Sequence, residues 1–250
     1  MKKFVYTLVI LLLTGCSFSN NSYKKIYKIG IDSFFYPNDF APLNSNVYGF
    51  SQELLLEISK LENIVFEKIS NNWDSLFDNL DEKKVDGVFS SKDEWNFNEN
   101  KFNFSNVFLP IGAALVVNAN SDIKSPKDLS KKIVAVSSNE MNIFAKQHLS
   151  NVIVKEYLSK KESLEELYVN YVDAVIMDII PLTAFLNDVY YKKLKVIKIL
   201  NKKGLKLITL NQQKELVDIF NRGLKKMKRK KIYQKLLKKW DLNIDLKLFD

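Results

Sequence analysis

The sequence predicts an α/β protein of two lobes, each a mostly parallel sheet flanked by helices. Three observations carry this. Apolar runs of strand length alternate with stretches whose apolar residues recur at helical spacing, the order a parallel sheet requires. The alternation runs once up to Phe89 and again after the longer apolar segment Ile111 to Asn118. A later return segment, Leu194 to Leu210, leads into two closing helices, so the chain passes twice between the two units.

Before the first strand stands a processing segment. Lys2 and Lys3 precede the apolar stretch Phe4 to Leu13, and Leu13-Thr14-Gly15-Cys16 has the character of a cleavage region. Roughly ten apolar residues fall well short of the ~20 that span a bilayer, so residues 1–15 read as a removed signal peptide. Leu-Thr-Gly-Cys resembles the lipobox of bacterial lipoproteins, in which the cysteine becomes the lipid-bearing N-terminus. Cys16 is the one cysteine of 250 residues, which leaves no internal disulfide. Residues 16–25, containing SFSNNS, form a polar tether.

The elements then follow in order. Tyr27 to Ile31 reads as a buried strand, and Phe50, Leu54, Ile58 and Leu61 mark a helix. Val65 to Ile69 is a strand, Trp73, Leu76, Phe77 and Leu80 a helix, and Val85 to Phe89 the third strand. In the second series Ser125-Pro126-Lys127-Asp128 opens a short helix with serine as cap and proline at the first position. Strands at Lys132 to Val136 and Val152 to Tyr157 precede a helix carrying Leu164, Leu167, Tyr168 and Tyr171. Asp173 to Met177 is a strand and Pro181 starts a helix. Asn201 to Gly204 breaks the return segment into two strands. The expected division is residues 26–115 with 206–250 in lobe 1 and 116–205 in lobe 2.

Charge is unevenly spread. Without Lys2 and Lys3 the chain has 36 basic and 29 acidic residues, which lowers the net charge from +9 to +7. Arg222 to Lys239 alone holds ten Lys or Arg and no acid. Leu224, Met227, Ile232, Leu236 and Leu237 recur there at near-helical spacing, so the cations form the wet face of a packed helix pair. Contact of that face with lipid headgroups or an acidic partner is the alternative, and the extracytoplasmic compartment argues against nucleic acid.

The inventory for catalysis is poor. His148 is the one histidine and has no carboxylate or cysteine at ligand spacing, which disfavours a triad and a zinc site. No phosphate-cradling glycine motif occurs among the seven glycines. Neither a metal nor a cofactor is expected. Asp86 and Asp173 begin their strands and read as turn or cap residues. Asp178 ends its strand, where open α/β sheets bind ligands.

The segments, taken in order, resemble family 3 of the extracytoplasmic solute-binding proteins, which deliver polar amino acids to ABC importers. The residues that carry the resemblance are Ile29-Gly30-Ile31-Asp32 with Pro37, Tyr48-Gly49-Phe50, Trp73-Asp74-Ser75-Leu76, Val85-Asp86-Gly87 and Phe104-Ser105. Lys124 to Leu129, Val172 to Asp178 and the closing Ile232-Tyr233 and Lys238-Lys239-Trp240 complete it. The resemblance implies a type II periplasmic-binding-protein-like fold with a two-strand hinge near Val116-Val117 and Lys203 to Leu207, Gly204 absorbing backbone change. It also implies a monomer tethered to the membrane through lipid on Cys16. That monomer would be no enzyme and would present a small polar solute to an ABC permease.

For the site, the resemblance implies that Asp178 receives an α-ammonium, that Asp32 and Phe35 line the side-chain pocket, and that Ser90, Ser91 and the following loop meet the ligand. The family arginine for the α-carboxylate falls at Asn98, and the family Gly-Thr at a helix start falls at Asn139-Glu140. Asp93 stands where serine or threonine is usual. Asp32, Asp93, Glu140 and Asp178 would then surround the cleft without a counter-charge, a costly arrangement unless a cation enters. The expected ligand is therefore cationic or neutral, with Trp95 or Phe35 as a stacking face. A standard amino acid held by Lys92 or Lys101 is the second expectation. A cyclohexadienyl-dehydratase-like enzyme and a sensor or adhesin remain alternatives on the same fold.

Overall fold

A computed structural model describes residues 24–92, 101–242 and 244. The first lobe begins β1 (Ile26–Asp32), α1 (Asn44–Glu62), β2 (Val65–Asn71), α2 (Trp73–Asp81), β3 (Gly87–Ser90), β4 (Phe102–Phe104) and β5 (Leu109–Pro110). β6 (Ala113–Asn118), β7 (Ile133–Val136), α3 (Asn139–His148), β8 (Ile153–Glu156), α4 (Lys160–Tyr168), β9 (Ala174–Asp178), α5 (Ile179–Asn187) and β10 (Leu194–Ile199) follow. β11 (Gly204–Leu210), α6 (Lys214–Arg229) and α7 (Ile232–Lys239) close the chain.

Local chemistry sets these boundaries. Along α1 the buried residues Val47, Phe50, Leu54, Leu55 and Ile58 repeat every three or four positions and form one apolar stripe. The helix stops at Asn63, whose left-handed conformation (φ 54°) turns the Ile64 N–H back to the Ser59 carbonyl at 3.2 Å. Asn72, Ser138 and Ser159 cap α2, α3 and α4 by accepting from the backbone N–H of Ser75, Met141 and Glu162. The Ser125 cap and Pro126 open a short 3₁₀ turn. All four residues of β3 are buried, which fits a central strand covered on both faces.

The strands form two sheets, ordered β2-β1-β3-β11-β4 with β5 on β11, and β10-β6-β9-β7-β8. Each is built alike. A parallel trio, β2-β1-β3 in one and β8-β7-β9 in the other, is joined by an antiparallel strand that has just arrived from the other sheet. That strand is β11 in the first sheet and β6 in the second. The parallel core matches the sequence expectation; the antiparallel ladders arise because a crossing chain enters from the opposite end.

The passages between sheets lie at residues 111–112 and 200–203, between β5 and β6 and between β10 and β11. Val116 and Val117 are not at a passage but inside β6, fully buried and paired with β10. Gly204 already pairs with Pro110 in the first sheet. At the crossing itself a Cβ on Gly112 would meet the Asn201 carbonyl oxygen at 2.3 Å, so the two passing backbones touch there. The Asn201 Oδ1 accepts the Ala113 N–H at 3.0 Å. Apolar contact is continuous through this point, one cluster containing Ile29 and Phe89 of the first sheet and Val116 and Val175 of the second.

The two last helices return to α1. Tyr233 meets Phe50 edge-on at 5.8 Å, and its buried hydroxyl donates to the Phe108 carbonyl at 2.7 Å. Trp240 lies over Gly49, where a Cβ would come within 2.3 Å of the indole. Lys239 pairs with Glu53, and Arg222 and Lys226 pair with the nearly buried Glu62.

Candidate functional site

Asp32 lies at the carboxyl end of β1, Ser90 and Ser91 at that of β3, Asp178 at that of β9, and Asn139 and Glu140 at the start of α3. Cys16, Asp93, Trp95 and Asn98 lie outside the described residues.

After β1 the chain makes a tight loop. Asp32 is buried and its Oδ1 accepts the Phe34 N–H at 2.7 Å, so one carboxylate oxygen shapes the turn. Phe35 has φ 53°, a conformation that an aromatic residue keeps only when its surroundings hold it there. Its ring was expected to face the pocket as a stacking surface. It is instead 3 % exposed and packed on Phe40, because the left-handed turn drives the side chain inward. The open rings of this loop are Phe34 and Tyr36.

Asn38 then ties the loop to the end of β3, donating to the Phe35 carbonyl at 2.7 Å and to Ser91 Oγ at 2.9 Å. Ser90 Oγ accepts the Lys92 N–H at 3.2 Å. Both serines are buried. Lys92 places its ammonium over Phe77 at 4.5 Å and Trp73 at 5.6 Å, and burial lowers its pKa. Lys101 pairs with Asp81 at 2.6 Å.

On the opposite side, Asp178 ends β9 and begins α5 without making a cap bond. Its carboxylate has no hydrogen-bond partner among the described residues. Burial pushes it up to about 6; the charge of Glu140 adds to this, while Lys203 and then Lys160 oppose it. Asn139 and Glu140 are exposed on the first turn of α3, and Glu140 pairs with Lys203 at 3.3 Å. Lys160, the first residue of α4, donates to the Asp39 carboxylate and to the Asp39 carbonyl at 3.4 Å. That contact joins the loop after β1 to a helix of the second sheet.

The expectation of acidic walls without a counter-charge is thereby corrected. Two cations stand near Asp178, each already engaged by an acid, and neither is Lys92 or Lys101. Asp39, Lys160 and Lys203 were missed because the residues that meet are 121 and 63 positions apart. One signal was usable: an acid at the start of a helix facing a cleft needs a cation, and the polar break Asn201 to Gly204 contains two.

Residues assigned to structure behave as such. Asp86 accepts from the Lys28 N–H at 2.7 Å and Asp173 from the Ile133 N–H at 2.8 Å. His148 is exposed and stacked on Phe144. Among the described residues no group of three or more His, Cys, Asp or Glu is placed to hold a metal ion, and no helix is long and apolar enough to cross a membrane.

Two linked sheets with strand ends, a helix start and an unpartnered carboxylate converging between them define an α/β scaffold of the solute-binding class. The chain belongs to the bacterial extracellular solute-binding proteins, family 3, whose model matches residues 27–243. It is 28% identical to the arginine-binding extracellular protein ArtP of Bacillus subtilis over 96% of this chain and 98% of that protein. The L-cystine solute receptor of Neisseria gonorrhoeae in its unliganded open conformation has a TM-score of 0.72 at 19% identity, covering 87% of this chain and 93% of that one. A polar amino acid ABC uptake transporter substrate binding protein from Streptococcus thermophilus has a TM-score of 0.69 at 17% identity, covering 86% and 85%. These two structures are type II periplasmic amino-acid-binding folds.

Proposed function

We propose that this protein is the lipid-anchored, extracytoplasmic component of an ABC importer and closes on a small polar solute bearing a cationic group. The observation that carries the reading is Asp178, a mostly buried carboxylate at a strand end with no partner among the described residues. A charge withdrawn from water and left unpaired is costly unless a bound cation completes it. An α-ammonium or another amine supplies that cation, while Ser90, Asn38 and the backbone at the end of β3 offer neutral hydrogen-bonding groups. The arginine-binding relative supports an amino-acid-like ligand. Asn98 in place of the family arginine supports either a cationic solute without an α-carboxylate or one whose carboxylate turns to Lys203. Removal of residues 1–15 and lipid on Cys16 would hold a monomer beside its permease.

Thermal unfolding of the chain lacking residues 1–16 tests this against amino acids, polyamines and small peptides. A ligand at a hundredfold excess over its Kd stabilises by about 2.7 kcal/mol. Stabilisation by basic or zwitterionic solutes is expected, and Asp178→Asn should abolish it. Stabilisation by aspartate and glutamate alone would refute the reading. The pair Lys160 and Lys203 also favours one alternative, a dehydratase that holds substrate carboxylates on cations. Aromatic product formed from a cyclohexadienyl acid would establish that activity in place of transport.

A further inference from the structure

The basic run of the sequence folds into one surface. α6 and α7 bury Leu224, Met227, Tyr233, Leu236 and Leu237 against the rest of the first lobe. Their cations consequently point outward, and Lys225, Lys228, Arg229, Lys230, Lys231, Lys235 and Lys238 are exposed. The acids that serve this region, Glu53 and Glu62, are taken by Lys239, Arg222 and Lys226. Among the described residues the seven exposed cations have no ion-pair partner. Within the surface lies a pocket of about 530 Å³ lined by Asn106, Asn221, Arg222, Leu224, Lys225, Lys228 and Arg229. It contains guanidinium, ammonium and amide donors and no carboxylate, a set suited to phosphate oxygens.

Position adds a second, independent observation. Lys25 pairs with Glu215 in the first turn of α6 at 2.7 Å, so the first described residues lie beside the start of that helix. From Cys16 to Lys24 is about 26 Å at full extension, at roughly 3.3 Å per residue. α6, with 16 residues, is about 24 Å long. A lipid on Cys16 would therefore leave the membrane within reach along the length of α6.

We propose that the exposed face of α6 and α7 docks on an anionic phospholipid surface and takes a headgroup phosphate into the pocket at Arg222, Lys225, Lys228 and Arg229. The tether argument rests on the lipid anchor proposed above; the pocket and the charge do not. Docking fixes which way the anchored protein lies.

The test uses the chain lacking residues 1–16, so that failure of the anchor reading and failure of this one stay separate. Co-sedimentation should occur with vesicles of phosphatidylcholine mixed with phosphatidylglycerol and not with phosphatidylcholine alone, and it should weaken as sodium chloride is raised. The double variant Lys225→Glu/Arg229→Glu should lose binding by about tenfold or more. Lys235→Glu/Lys238→Glu, outside the pocket, should lose less, and both should melt with the parent. Equal binding to neutral vesicles, or binding unchanged in the first variant, overturns the proposal. Inorganic phosphate that stabilises the protein and abolishes vesicle binding at low concentration would make this a soluble-anion site and overturn it too. Membrane release on Cys16→Ser in cells reports on the anchor alone.

Discussion

Replacing Asp178 with asparagine should make the unliganded protein more stable while destroying its binding. The unfolded chain releases the Asp178 proton near the ordinary value of 3.8, and the folded protein holds it to about 6. The folded state thus binds more protons between those limits, so acid favours it. The penalty of a charged Asp178 builds as pH rises through that window and is complete above about pH 6. At about 1.4 kcal/mol per pH unit, the move from 3.8 to about 6 amounts to about 3 kcal/mol. Asparagine keeps the shape and removes the charge. Urea unfolding at pH 7 should show a gain approaching about 3 kcal/mol, equivalent to a Tm rise of about 6 °C or more for a chain of this size. At pH 4 the two proteins should differ little. A cationic solute needs the ionised carboxylate, so the parent's affinity should fall about tenfold per pH unit below about pH 6. If the variant is no more stable at pH 7, or gains equally at pH 4, Asp178 is not the strained, unpaired group described above.

Three further outcomes are expected. Lys160→Met removes the link between Asp39 and α4; because Asp39 is exposed, stability should change by less than about 1 kcal/mol, while solute release measured by stopped-flow quickens. Gly112→Ala sets a methyl group 2.3 Å from the Asn201 carbonyl oxygen, a backbone atom that cannot swing aside, and should cost about 1–3 kcal/mol in urea unfolding. Tyr233→Phe leaves the Phe108 carbonyl without its buried donor and should cost about 1–3 kcal/mol by the same measurement, with solute affinity unchanged.

Apart from β4 and β5, which are only three and two residues long, the strands and helices were legible because their signals are local. The stripe of α1, the Ser125-Pro126 start and the apolar run Val85 to Phe89 that leads through β3 each declare themselves within a few residues. The place of Asp178 at the end of β9 was legible for the same reason, since the end of an apolar strand marks the rim of an α/β sheet. The crossing was placed several residues late, because the apolar run Ile111 to Asn118 contains both the passage and the strand after it, and only Gly112 punctuates the two. The inward turn of Phe35 depends on a backbone angle that its sequence neighbours do not announce. The pairing of Lys160 with Asp39 and of Lys203 with Glu140 depends on tertiary approach, which no spacing rule encodes.

The way the two sheets share the chain has a practical outcome for engineering. Residues 113–199 hold every strand of the second sheet in one uninterrupted stretch, whereas the first sheet is assembled from segments on both sides of it. A relative's middle stretch can therefore be transplanted as a cassette at two cut points, 112 and 200, carrying Asp178 and Lys160 with it and leaving Asp32, Ser90 and Lys203 behind. Such hybrids would reveal which half dictates ligand choice. The reciprocal graft would require splicing two pieces, with Leu109 and Leu205 needing to find each other across the new joint.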